Sequence, residues 1–289
     1  MTARRTQALY RTLLILGRTS NLPTVWSNCL AGWLLGGGGG VGPFFWVCIG
    51  ATFLYTGGMF LNDAFDVDFD RQHRRQRPIP SGAISEREVW FYGFLQIGLG
   101  AIILVQMGTA TATLTILLVG CILLYDAIHK LVALSPLLMA VCRILLYLVA
   151  ASVSTRGAAG LAVWSALAMG AYIVGLSYLA RKETSRGPLN NWPSFFLAAP
   201  LLLAFLVNYG SPQRMPLVIL FLVAGWILWC LRHVFWKPQR NIGFTVSLLL
   251  AGIPLVDWLA VGGGTFWSGA LFVLLFFAAL LFQRFIPAT

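Results

Sequence analysis

The segment Asn62-Asp63-Ala64-Phe65-Asp66-Val67-Asp68-Phe69-Asp70 carries four of the nine acidic residues in the chain. On a helix, residues four apart share a face, so Asn62, Asp66 and Asp70 form one stripe with Asp63 beside it. Clustered carboxylates repel one another unless a cation neutralises them. Oxygen-only ligands suit Mg²⁺ or Mn²⁺ rather than zinc or copper, and Mg²⁺ completes its shell with water and substrate phosphate. Asn62, Asp63, Asp66 and Asp70 are therefore the candidate metal ligands, and the stripe Asn62, Asp66 and Asp70 the candidate catalytic set. Asp68 points to the other side, toward solvent. Arg71, Arg74, Arg75 and Arg77 follow, then Pro78-Ile79-Pro80-Ser81-Gly82. Guanidinium groups beside a metal cluster offer bidentate donors to phosphate oxygens. For Arg71, Arg74 and Arg75, pairing with nearby aspartates and setting orientation in the membrane explain the charge equally well.

The elements that position these groups must lie in lipid. Hydrophobic residues make up 58% of the 289-residue chain and charged residues 10%, with a mean hydropathy of +0.81. Soluble domains carry about 25% charged residues, so the bilayer is the solvent for most of this surface. Ten stretches approach the roughly 20 apolar residues of a spanning helix: near 22–40, 43–62, 88–107, 109–126, 135–153, 159–180, 193–210, 215–232, 241–260 and 266–283. The stretch 241–260 is the least secure, because it contains Gly252, Pro254 and Asp257. Nine spans with one re-entrant or tilted segment thus stay open beside ten. A single transmembrane domain over 1–289 is the simplest organisation.

If the first span leaves the cytoplasm, 17 of the 20 Lys and Arg residues fall in cytoplasmic segments; Arg156 and Arg214 lie opposite and Arg143 within a span. This positive-inside asymmetry places the N-terminus in the cytoplasm and the long polar loops, with their chemistry, on that face. The expected setting is a bacterial inner membrane. The net charge of +11 is then a topology signal; no basic stretch is interleaved with exposed aromatics, and no nucleic-acid partner is expected. The five cysteines sit in apolar runs without C-x-x-C pairing, which predicts neither disulfides nor metal ligation. The early apolar run Leu13 to Leu16 is too short for a signal-peptide core, so the first helix is expected to stay in the mature protein.

The chain resembles the UbiA superfamily of membrane prenyltransferases. Its N-D-x-x-D-x-x-x-D signature is met by Asn62, Asp63, Asp66 and Asp70, and its R-P-[IL]-P-S-G-x-[IL]-S stretch by residues 77–85. Arg18-Thr19-Ser20-Asn21-Leu22-Pro23, followed by Ala31-Gly32, looks like the family's first helix. The resemblance implies an all-α membrane bundle of nine or ten transmembrane helices around a central cavity. It also implies Mg²⁺-dependent transfer of a prenyl group from an isoprenoid diphosphate to a small-molecule acceptor. Substrate-binding roles follow for Arg77, Arg18 and Asn21, for Tyr125 and Lys130 in Tyr125-Asp126-Ala127-Ile128-His129-Lys130, and for Arg143 of Cys142-Arg143, facing the cavity. Asp126 is a further ligand or acceptor-side group in that pattern. The bland alternative for Tyr125 and Lys130 is an interfacial tyrosine and a snorkelling lysine. His73, His129 and His233 lack ligand spacing and are expected to be solvated.

The family's second acidic motif is missing. Its place reads Ser177-Tyr178-Leu179-Ala180-Arg181-Lys182-Glu183-Thr184-Ser185-Arg186-Gly187. Either Arg181 and Lys182 bind the diphosphate directly while Glu183 keeps one metal ligand, or ionisation is lost. In the second case the protein is a non-catalytic UbiA-like binder or carrier of a prenylated or phosphorylated lipid or secondary metabolite. A CDP-alcohol phosphatidyltransferase would need a D-G-x-x-A-R half that the chain lacks. A transporter would need mid-membrane ionisable sites, for which only Arg143 and Asp257 qualify. No residue set selects the acceptor or the prenyl chain length.

Overall fold

A computed structural model describes residues 2–158, 160–184, 192–209, 214–236, 240–262 and 264–287, with the backbone alone at residues 2–8, 183 and 184. Among the described residues the protein is helical and has no strands. The helices are α1 (Thr2–Leu16), α2 (Leu22–Leu35), α3 (Val41–Phe65), α4 (Val67–His73), α5 (Glu86–Val105), α6 (Thr109–Ile128), α7 (Ser135–Ser152) and α8 (Leu161–Thr184). A 3₁₀ run, Trp192–Ala198, leads into α9 (Ala199–Asn208), followed by α10 (Met215–Phe235), α11 (Ile242–Ala251), α12 (Ile253–Val261) and α13 (Phe266–Phe282). The boundaries have local causes. Ser85 and Glu88 close a reciprocal capping box at the start of α5. Proline occupies the first turn of α2, α7, α9, α10 and α12, where its missing N–H costs no helical bond.

Each of the ten expected stretches contains a helix, but not all of them span as expected. Among the described residues seven helical segments are long and apolar enough to cross a membrane, while Trp192–Asn208 and Phe266–Phe282 are shorter. The expected first span is a helix of only 14 residues, because Gly36 to Gly40 leave the helical path. The stretch 241–260 breaks into α11 and α12 at Gly252, one residue past a last turn and two before Pro254. Burial separates centre from edge. Ile242–Val261 is 61% buried, whereas the membrane-length windows of α5 and α6 are 28% and 22% buried and turn Phe91, Phe94, Ile116 and Leu117 outward. These faces have lipid as their partner, and the protein is an integral membrane protein.

Without a hydrophobic drive between helices in lipid, close backbone approach must supply the packing. Gly50 and Gly57 on α3 face Gly93 and Gly100 on α5. A Cβ at Gly57 would lie 2.9 Å from the Gly93 carbonyl oxygen, and one at Gly100 2.8 Å from that of Gly50. This seam fixes the C-terminal end of α3, where Asn62, Asp63 and Asp66 sit. The loop after α4 is locked differently. Ile79 and Ile84 are buried against Leu16, Phe60, Ala64, Val67 and Val89, and the Ser81, Gly82 and Ala83 amides bond back to the Arg77, Ile79 and Pro78 carbonyls. The isoleucines of the R-P-I-P-S-G-A-I stretch are anchors that hold Arg77 in place.

Gly57→Leu is expected to destabilise the protein by at least about 1–3 kcal/mol through overpacking. Gly98→Leu, at a position with open space, should leave the melting temperature of detergent-purified protein unchanged. Equal effects of the two changes would show that the α3–α5 seam is not close-packed.

Candidate active site

The ends of α3, α6 and α8, the start of α7 and the turn before α2 converge on a cavity of about 640 Å³, within the range of small-molecule sites. Its polar wall carries Arg18, Asn21, Asn62, Asp66, Arg74, Arg77, Tyr125, Asp126, His129 and Lys130. Farther along the helices it is lined by Ala51, Leu54, Leu118, Leu146, Ile173 and Val246. One charged end and one apolar interior suit an amphiphile with an anionic head.

The acidic stripe does not act as a single cluster. Asp63 is turned away from the cavity wall and takes Arg77 Nη1 at 2.6 Å and Arg18 Nη2 at 3.5 Å. Arg18 reaches it from a left-handed backbone (φ 41°), the one positive φ among non-glycine residues described. This costs local strain of the kind found where a side chain must be aimed. Burial depresses the Arg18 pKa, but Asp63, with smaller help from Tyr55, Tyr125 and Asp66, more than offsets it and holds the group above its ordinary value. For Arg77 burial prevails over Asp63, and the pKa falls below its ordinary value.

Asp66 joins α3 to α4 and lines the cavity. Its Oδ1 lies 2.6 Å from Lys130 Nζ and 3.4 Å from His129 Nε2. Burial pushes this carboxyl up, yet the His129 and Lys130 hydrogen bonds and charges outweigh it and keep it below the usual carboxylate range. Lys130 also sits 3.9 Å over the Phe69 ring, and Tyr125 stacks on His129. Asp70 is buried, off the cavity wall, with no partner for Oδ1. Burial, with Asp66 and Asp63, raises its pKa against the pull of Arg77. Asp68 is exposed and pairs with Arg71, which also holds Glu86.

Among the described residues no three His, Cys, Asp or Glu side chains form a ready-made metal cage. Mg²⁺ does not require one, since one or two carboxylates plus water and phosphate suffice. Asp66 and Asn62 on the wall, with donorless buried oxygens on Asp70 and Asp126, fit an oxygen-ligated cation. Asp63, held by two arginines, is placed to fix Arg18 and Arg77 in position.

Arg143 lies on the cavity wall as expected. Its Nη1 donates to Asn28 Oδ1 at 2.8 Å and its Nη2 to Thr24 Oγ1 at 3.1 Å. Asn28 and Ser27 in turn donate to Asp257 Oδ2 at 2.8 and 2.6 Å. Sequence reading missed this chain, although Ser27, Asn28 and Asp257 in apolar spans were its signal. Arg181 lines the cavity but donates to the Val132 and Ala133 carbonyls and to Ser135 Oγ. Lys182 is off the wall, with its Nζ 5.8 Å from the Tyr178 ring centroid. The side chain of Glu183 lies outside the described residues. Two histidine expectations need correction. His129 lines the cavity beside Asp66, because α6 turns that face toward the end of α3, and His233 is buried against Trp229 and Phe244, because α10 turns that face toward α11. His73 is exposed as expected and stacks on Phe69. The five cysteines are free.

Asp63→Asn is expected to cost about 3 kcal/mol, the low end for removing one partner of a buried pair, because both arginines reach the cavity. Thermal unfolding without ligand checks it. An unchanged melting temperature with weakened divalent-metal binding would return Asp63 to the metal ligands.

Comparison with known proteins places the chain in a family. The profile of the UbiA prenyltransferase family matches residues 23–244. The digeranylgeranylglyceryl phosphate synthase of Pyrococcus horikoshii is 43% identical over 53 residues, a match spanning 18% of this chain and 19% of that relative. A solved structure reported for digeranylgeranylglyceryl phosphate synthase in membranes superposes with a TM-score of 0.62 at 17% identity, covering 89% of this chain and 98% of that one. A UbiA homologue from Archaeoglobus fulgidus bound to GPP and Mg²⁺ gives 0.54 at 14% identity, covering 94% and 99%. At these identities the structural likeness is one of fold. With the family profile covering most of its length, the chain belongs to the UbiA prenyltransferase family.

Proposed function

We propose that the protein transfers a prenyl group from an isoprenoid diphosphate to a small-molecule acceptor, with Mg²⁺, at the cytoplasmic membrane face. The observation that carries this is Asp66 on the wall of a largely apolar cavity, ringed by Arg18, Arg77 and Lys130. The family membership, and the GPP and Mg²⁺ held by the Archaeoglobus fulgidus homologue, support it. The orientation rests on the concentration of basic residues at the site end of the bundle.

In this reading Arg77, Arg18 and Lys130 hold the diphosphate head, and the apolar interior takes the prenyl tail. The allylic C–O bond breaks with its electron pair leaving on the diphosphate, where these cations receive the developing charge. Asp66 and Asn62, with Asp70 and Glu183 as further candidates, would hold Mg²⁺, which would supply Lewis-acid neutralisation of the phosphate oxygens. Phe69, Tyr55 and Tyr125 offer ring faces to the allylic cation, and the apolar wall excludes water until the acceptor attacks and loses a proton. Lys130, now paired with Asp66 at 2.6 Å, is placed to exchange that carboxylate for a phosphate oxygen of the substrate. Arg143, anchored by Thr24 and Asn28, faces the acceptor or the tail side. The basic run Arg181, Lys182 and Arg186 favours, as a second reading, a carrier that binds a phosphorylated lipid without ionising it.

Geranylgeranyl diphosphate is expected to raise the melting temperature of the detergent-purified protein only with Mg²⁺, and Asp66→Asn should abolish the shift. Stabilisation independent of Mg²⁺ and of Asp66 would favour the carrier. No stabilisation of folded protein would remove the prenyl-diphosphate reading.

A further inference from the structure

We propose that Asp126, near the C-terminal end of α6, supplies the second carboxylate for the metal–diphosphate complex, in place of the acidic motif that residues 177–187 lack. The inference rests on the diphosphate site proposed above and deepens it by naming a ligand from another helix.

Residues 177–187 contain no aspartate, and Arg181, the basic group on the cavity wall among the described residues of this segment, donates to the Val132 and Ala133 carbonyls. Among the described residues, α6 brings a second carboxylate, Asp126, to the cavity that Asp66 lines. Asp126 lines the cavity and is 3% exposed. Its Oδ1 accepts from Asn62 Nδ2 at 3.0 Å, while its Oδ2 is buried without a donor. Arg18 Nη2 lies 3.3 Å from Asn62 Oδ1. A guanidinium only donates, so this contact fixes the Asn62 amide with its NH₂ toward Asp126.

Two features set Asp126 apart from a satisfied structural carboxylate. First, an asparagine at 126 could accept the same bond from Asn62 without burying a charge, so a carboxylate whose second oxygen has no donor needs another partner. Second, it sits beside the segment that carries Asp66. Asn62 lies one helical turn before Asp66, whose amide bonds to the Asn62 carbonyl at 3.0 Å. His129 touches both, with Nε2 at 3.4 Å from Asp66 Oδ1 and Nδ1 at 3.3 Å from the Asp126 carbonyl. Carboxylates from α3 and α6 thus flank one corner of the cavity, beside Lys130 and Arg18. Hard oxygen ligands from two helices, with cations to take phosphate, are what a Mg²⁺-diphosphate complex recognises. Asp70 also has a donorless oxygen, but it lies off the cavity wall and near Arg77.

The test is a Mn²⁺ titration by electron paramagnetic resonance on the full-length protein in detergent, with inorganic diphosphate present. Asp126→Asn is expected to weaken Mn²⁺ binding by about tenfold or more, and the exposed control Asp68→Asn to bind as the wild type does. Asp126→Cys should shift preference from Mn²⁺ toward the softer Zn²⁺ relative to wild type, which a structural residue would not do. This second variant keeps the proposal open to refutation if Asp126→Asn does not fold. Wild-type Mn²⁺ affinity in Asp126→Asn, with affinity lost in Asp66→Asn, would leave the diphosphate site standing and remove Asp126 from it. Loss in Glu183→Gln but not Asp126→Asn would give the role to the second loop. A wild type that takes up no Mn²⁺ with diphosphate would overturn the site and this inference together.

Discussion

The buried pairing of Asp63 with Arg77 and Arg18 is the contact on which the site depends. Arg18 and Arg77 are held close together at the end of a membrane bundle, and the mutual repulsion of cations is costly where water is scarce. One carboxylate between two guanidiniums offsets that cost and fixes both. It also ties three distant pieces of chain to one point: the strained turn before α2, the end of α3, and the proline-rich loop locked by Ile79 and Ile84. Asp66, one turn on, is left to face the cavity with Lys130 as its counter-charge.

The rest of the bundle serves that arrangement. The glycine seam between α3 and α5 sets the height of the acidic segment, and the α2–α7 contact, where a Cβ at Gly32 would run into the Tyr147 carbonyl, sets that of Arg143. Arg143, Asn28, Ser27 and Asp257 form a continuous polar chain through otherwise apolar packing. Such a chain links a guanidinium to one carboxylate oxygen, Asp257 Oδ2, through a shared amide rather than by direct contact, while Asp257 Oδ1 stays buried without a donor. It also gives the broken α11–α12 span a reason to sit at the centre of the bundle.

Much of the fold was legible. Ten apolar stretches and the doubtful one among them were readable from composition and from Gly252 and Pro254, because lipid imposes a length and polarity on every crossing. The 14-residue α2 was not, since its apolar run continues into glycines whose backbone leaves the helix. In the site, the signature residues were legible as types at fixed spacing, but their division of labour was not. Spacing put Asn62, Asp63, Asp66 and Asp70 together; the structure separates an arginine-paired Asp63, a cavity-facing Asp66 and a buried Asp70. His129 looked like a loop histidine, and only the convergence of α3 and α6 sets it against Asp66.

The sequence by itself determined the solvent and the helical class, which follow from composition and the length of the apolar runs, and its motif residues carried the resemblance to the family. Tertiary structure decided which carboxylate meets an arginine, a lysine or nothing, and that Asn62 joins Arg18 to Asp126. Those choices depend on helices 44 to 64 residues apart in the chain, brought together by close packing whose glycine contacts have no counterpart in local spacing.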